Sequence, residues 1–78
     1  MLYLVYAIKS LVKNYIYVGM TNNLKRRLKQ HNTKQSQATK AYAPFKVIYT
    51  ETFPNRKQAR SREKYLKSGV GKEFLKNL

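Results

Sequence analysis

Apolar positions recur in two rhythms along this chain, one of strands and one of helices. Tyr3 to Ile8 (YLVYAI) is β-prone and apolar on both alternating faces, the pattern of a central strand covered on both sides. Ser10 to Asn14 is a polar turn. Tyr15 to Gly19 then sets Ile16 and Val18 on one face and Tyr15 and Tyr17 on the other. The two runs make a hairpin, and loop length suggests a register pairing Tyr6 with Tyr17, which brings both phenols out on one face.

The rhythm then turns helical. Thr21 or Asn22 is the expected cap of a helix running to about Asn32. Leu24 and Leu28 mark its buried stripe, while Lys25, Arg26 and Lys29 point outward. His31 falls within the stripe and Arg27 at its edge, and an i,i+4 spacing puts these two side by side. Thr33 to Pro44 (TKQSQATKAYAP) is polar and aperiodic, a length of connection that is uncommon in compact domains and often functional. Phe45 to Phe53 reads as a third strand closed by Pro54. Asn55, with Gln58 three residues on, begins a second helix that runs to Ser68, with Gly69 as its C′ residue. Ala59 and Leu66 define its inner stripe, flanked by Arg62 and Glu63. Val70, Phe74, Leu75 and Leu78 form a short amphipathic end that covers the core. The expectation is a small α/β fold: a three-stranded antiparallel sheet in β-β-α-β-α-α order flanked by helices, with residues 1–78 as a single domain.

Charge changes this picture most. Seventeen Lys plus Arg against three acids give a net charge of +14, spread along the whole length. Such a surface attracts polyanions, nucleic acid first among them. No segment approaches the roughly 20 apolar residues that span a bilayer, and no strongly amphipathic basic helix with large apolar anchors suggests a membrane adaptor. The absence of cysteine excludes disulfides and thiolate metal sites, and fits a cytoplasmic setting. There is no aspartate, and Glu51, Glu63 and Glu73 are the only acids, far too few for a two-metal centre. Metal-assisted phosphate chemistry here has to use one ion, few protein ligands, and Tyr, Arg and His.

Each candidate side chain has a plain reading beside the chemical one. His31 could be a satisfied core histidine, and Tyr6 and Tyr17 ordinary strand aromatics. Glu63 could neutralise Arg62, Arg27 or a lysine. An inward arginine in a chain this poor in acids is better explained as waiting for a phosphate.

In combination these residues carry a resemblance. Leu4, Val5 and Tyr6 (LVY), followed about ten residues later by Tyr17, Val18 and Gly19 (YVG), resemble the paired signatures of the GIY-YIG nucleases. Arg27 and His31 are similarly placed to residues of that family's first helix. Glu63, in AxxxEKYLK, is similarly placed to its metal-binding glutamate. The resemblance covers nearly the whole chain and is strongest to the small stand-alone bacterial members. Met20 stands where the excision-repair members carry a lysine, and the family's late asparagine has no clear counterpart.

The resemblance implies a DNA endonuclease that hydrolyses phosphodiester bonds with one Mg²⁺ or Mn²⁺ ion, in repair or recombination. Glu63 then holds the ion, Arg27 grips the scissile phosphate, and Tyr17 orients or deprotonates the attacking water. An ordinary phenol (pKa ~10) is a poor base, so that role depends on neighbouring cations. Tyr6 and His31 position the phenol or relay its proton, while Lys25, Arg26, Lys29, Lys34 and Lys40 track the backbone outside the site. The alternative is a non-catalytic basic module for DNA or RNA. No recognition-helix signature is visible, so targeting by a protein partner stays open, as does the oligomeric state.

Overall fold

Strands β1 (Tyr3–Ser10), β2 (Ile16–Thr21) and β3 (Phe45–Phe53) and helices α1 (Leu24–Asn32), α2 (Arg56–Lys67) and α3 (Gly69–Lys76) follow one another in the expected order. They are seen in a computed structural model that describes residues 2–78. The sheet is antiparallel, in the order β2-β1-β3. The apolar first strand therefore takes the centre, where Val5, Tyr6, Ala7 and Ile8 are each at most 1% exposed.

Alternation along β1 divides the core into two layers. Val5 and Ala7 point to one face, where Val18, Ala59, Leu66 and Leu75 join them under α2 and α3. Tyr6 and Ile8 point to the other, with Phe45 and the half-buried Leu24, Leu28, Tyr17 and Tyr42. Each fully buried aliphatic side chain contributes about 1.5–3 kcal/mol, which is how a chain without a staple holds together.

Several local expectations are corrected. The hairpin pairs Tyr6 with Gly19 and Ile8 with Tyr17, two residues away from the expected register. Both phenols still share a face, because side chains alternate with a period of two. The α1 cap is Asn23, whose Oδ1 accepts from the Arg26 amide at 3.0 Å. Thr21 ends β2 instead, and its Oγ1 accepts from the Asn23 amide at 3.0 Å. Asn55 caps α2 as expected, accepting from the Gln58 amide at 2.9 Å. Gly69, however, is not a left-handed C′ residue, since among the described residues no glycine has positive φ. Ser68 ends α2 and its Oγ accepts from the Gly71 amide at 3.3 Å, so one serine serves as the joint between two helices. Of the apolar residues at the end of the chain, Leu75 is buried, while Val70, Phe74 and Leu78 are exposed.

The polar connection is more ordered than its composition suggests. It contains a 3₁₀ turn over Lys40–Tyr42, and the Tyr42 ring stacks on Tyr15 at 4.0 Å between centroids. Two side chains pin its ends. Asn32 Oδ1 accepts from the Phe45 amide at 2.7 Å, and Ser10 Oγ donates to the Tyr42 carbonyl at 2.6 Å. In this way α1 and the loop are registered against the sheet face that carries the phenols.

Candidate active site

Gly19 is the first residue that shapes this face. It lies opposite Tyr6, and a Cβ there would meet the Tyr6 hydroxyl at 2.5 Å and Cζ at 2.7 Å. The missing side chain is what lets the Tyr6 ring lie across β2 toward α1. From there the Tyr6 hydroxyl is 2.9 Å from His31 Nε2, a bond across 25 residues of sequence. The Tyr17 ring, half-buried, lies 6.4 Å from the Tyr6 ring and 5.0 Å from the His31 ring.

Behind His31 stands a residue the sequence did not single out. Thr39 is fully buried, and its Oγ1 is 2.8 Å from His31 Nδ1. Both imidazole nitrogens are thus occupied, by a phenol on one side and a hydroxyl on the other. Nothing in a lone threonine within an aperiodic loop marks it. Its only signal is the length of that loop.

Burial, and then the Arg27 charge, pull the His31 pKa down to about 4, so the imidazole is neutral at pH 7. A histidine ordinarily titrates near 6.5, so the unfolded chain binds this proton first as pH falls. The stability from keeping His31 neutral is complete above about pH 6.5 and is lost as pH falls to about 4. At 1.36 kcal/mol per pH unit it is at most about 3 kcal/mol. Thermal melts between pH 7 and pH 4 are expected to show this loss, and His31→Gln to show a flatter profile over the same range.

Arg27 sits on α1 one turn before His31, half-buried, with Nη1 donating to Gln30 Oε1 at 3.0 Å. Three ion pairs exist among the described residues, Arg60–Glu63, Arg62–Glu51 and Lys67–Glu63, and Arg27 is in none of them. Burial works against its charge, but the phenols of Tyr6 and Tyr17 more than offset this and raise its pKa above the usual arginine value. Desolvation pushes the Tyr6 phenol the other way from an easy base, up to about 12.

Glu63 on α2 has a side chain only 13% exposed, with Arg60 at 3.6 Å and Lys67 at 3.3 Å. Its charge also bears on the Tyr6 phenol, so it belongs to the same neighbourhood. The neutralisation of Arg62 falls instead to Glu51, at 3.0 Å, which also accepts from the Tyr49 hydroxyl at 2.7 Å. Among the described residues no three His, Cys, Asp or Glu side chains converge. A single shielded carboxylate such as that of Glu63 is the kind of ligand a hard cation can take while keeping most of its shell as water and substrate oxygen. Lys25, Arg26, Lys29, Lys34 and Lys40 are all exposed, the first three on α1 and the last two on the loop behind His31. No helix among the described residues is long and apolar enough to cross a membrane.

The chain is similar to several known proteins. A family model described as the GIY-YIG catalytic domain matches residues 2–77. A UPF0213 protein of Clostridium perfringens is 43% identical over 53 residues, covering 67% of this chain and 57% of the relative. A UPF0213 protein of Oceanobacillus iheyensis is 40% identical over 62 residues, covering 78% and 72%. The match to the Clostridium relative spans a little over half of its length. The solution NMR structure of a UPF0213 protein from Bacillus halodurans superposes with a TM-score of 0.59 at 29% identity, covering 99% of this chain and 84% of that one.

Proposed function

This chain belongs to the GIY-YIG catalytic domain family, and on that premise we propose that it hydrolyses DNA phosphodiester bonds with the help of one divalent cation, in repair or recombination. The observation that carries the reading is Arg27: a guanidinium with no acid partner, held charged between two phenols. A phosphate is the ligand such a group is built to take, since its planar fork matches two phosphate oxygens. Arg27 binds the scissile phosphate and opposes the charge that gathers on it as the water attacks. Glu63 would hold Mg²⁺ or Mn²⁺. When bound, the ion polarises the phosphate and stabilises the leaving oxygen.

The phenols divide the remaining work. Tyr17, half-buried and beside Arg27, orients the attacking water by accepting a hydrogen bond from it, and the water's proton passes to solvent. Tyr6 is deeper. Burial pushes its pKa up and that of His31 down, so in the resting protein the proton stays on the phenol. His31 therefore holds Tyr6 in place and does not deprotonate it. Thr39, bonded to the far nitrogen, fixes the imidazole in turn. Lys25, Arg26, Lys29, Lys34 and Lys40 contact backbone phosphates beyond the site.

A second reading rests on Glu63 itself. Its two cationic neighbours compete with a metal ion, and in a non-catalytic DNA- or RNA-binding module they would simply neutralise it. Cleavage separates the two. Single-stranded, duplex and branched DNA incubated with Mg²⁺ or Mn²⁺ are expected to be cut on at least one substrate, and cutting is expected to stop when EDTA withdraws the ion. Binding to all three with cutting of none would leave the basic module.

A further inference from the structure

Two openings among the described residues lie away from α1. One, of about 510 Å³, opens between the free edge of β2 and α3, with Ile16, Val18 and Leu75 as its apolar wall and Lys67, Lys72 and Lys76 among its lining. The other, of about 330 Å³, is lined by Lys9 and Lys46 at the end of the sheet. They share Asn14, Ile16, Leu75 and Lys76, so they run together as one groove. Five lysines line it, and no residue of either lining is acidic. Lys72 and Lys76, four apart on α3, lie on the same side of that helix.

The groove also has a direction. Lys67, at its start, reaches Glu63 at 3.3 Å, so one end opens a single helical turn from the candidate metal ligand. Tyr17 lines the same cavity. None of Lys25, Arg26 and Lys29 on α1 takes part in it.

We propose that this groove binds the sugar–phosphate backbone of the nucleic-acid strand beyond the cut, a second path for the substrate distinct from the α1 lysines. The proposal rests on the phosphodiester reading of the Arg27–Glu63 site, because continuity with that site is what selects the occupant. A spaced row of ammonium groups over an apolar floor suits a chain of phosphates joined by sugars. A flat anionic bilayer would need the lysines on a convex face. A small anionic metabolite would need polar groups buried at the base, and here Lys67, Lys72 and Lys76 are exposed.

The test is binding of a fluorescent DNA oligonucleotide by anisotropy over a salt series, with no divalent ion present so that nothing is cut. Lys72→Ala/Lys76→Ala is compared with Lys57→Ala/Lys64→Ala, an equal charge change on exposed lysines of α2 outside the groove. All four positions are exposed, and thermal melts check that both variants fold. The groove variant is expected to lose about 1.4–1.8 from the slope of log K against log salt, and tenfold or more in affinity, with the control changing far less. Equal losses in both, or none in either, would overturn the proposal, as would a loss seen only with phosphatidylglycerol vesicles. Because binding is read without turnover, a chain that grips DNA here yet never cuts would sink the nuclease reading and leave the groove standing. A chain that cuts normally without Lys72 and Lys76 would do the reverse.

Discussion

Glu63→Gln is expected to lower DNA cleavage by about a thousandfold while leaving DNA binding at least as tight as before. The substitution keeps the shape of the side chain and removes its charge. A neutral amide is a poor ligand for a hard divalent cation, so the charge that opposes the build-up on the phosphate is lost. Removing one preorganised electrostatic group of this kind typically costs 10²–10³ in rate, and a thousandfold corresponds to about 4 kcal/mol of barrier. Binding moves the other way, because Arg60 and Lys67, at 3.6 and 3.3 Å from the carboxylate, are released to face phosphate. Melting temperature, oligonucleotide affinity and single-turnover cleavage measured on one preparation settle the matter. A variant that still cuts at more than a tenth of the normal rate would remove Glu63 from the chemistry.

Gly71→Ala is expected to destabilise the fold severely. A Cβ at Gly71 would collide with the Tyr65 carbonyl oxygen and with Leu66 Cα, both backbone atoms that no rotamer change can move. The only relief is to pull α3 off α2, which uncovers Leu66 and Leu75, now 0% and 2% exposed. Overpacking usually costs 1–3 kcal/mol, and a backbone collision at the joint of two helices puts this case at 4 kcal/mol or more. In a domain of this size that is a fall of about 16 °C or more in melting temperature. Gly69→Ala is the control: nothing lies within 4 Å of its Cβ, so it stabilises by up to about 1 kcal/mol through helix propensity. Equal melting temperatures for the two variants would contradict the packing described for α3.

Much of the fold could be read from short-range signals. The bounds of β3 and the Asn55 cap of α2 were visible because each depends on residues within four positions of one another. The failures share a different cause. The hairpin register was off by two because it is set by Gly19 making room for Tyr6, a contact between strands and not a property of either. Gly69 resembles a helix stop within the sequence of α2, but it is the first residue of α3, whose packing against α2 sets its conformation. For the candidate site, the helical spacing of Arg27 and His31 was enough to put them side by side, and strand alternation was enough to put Tyr6 and Tyr17 on one face. Thr39 was not visible, since its contact with His31 depends on how an aperiodic loop folds back. Neither was the groove, which is assembled from β2, α2, α3 and the outer ends of β1 and β3.

The strand order β2-β1-β3 leaves a row of unpaired backbone amides and carbonyls on each outer strand. Such rims zip onto one another when copies approach, and many proteins hide them under a helix or a bulge. Here electrostatic repulsion does that duty, with each copy carrying +14. Colloidal behaviour follows: the purified protein is expected to stay dispersed at modest ionic strength, with self-association, read by light scattering, rising once concentrated salt shrinks the screening distance to about 3 Å at 1 M. A bound polyanion at charge-matching stoichiometry has the same effect, so turbidity in a titration marks neutralised rims and not misfolding.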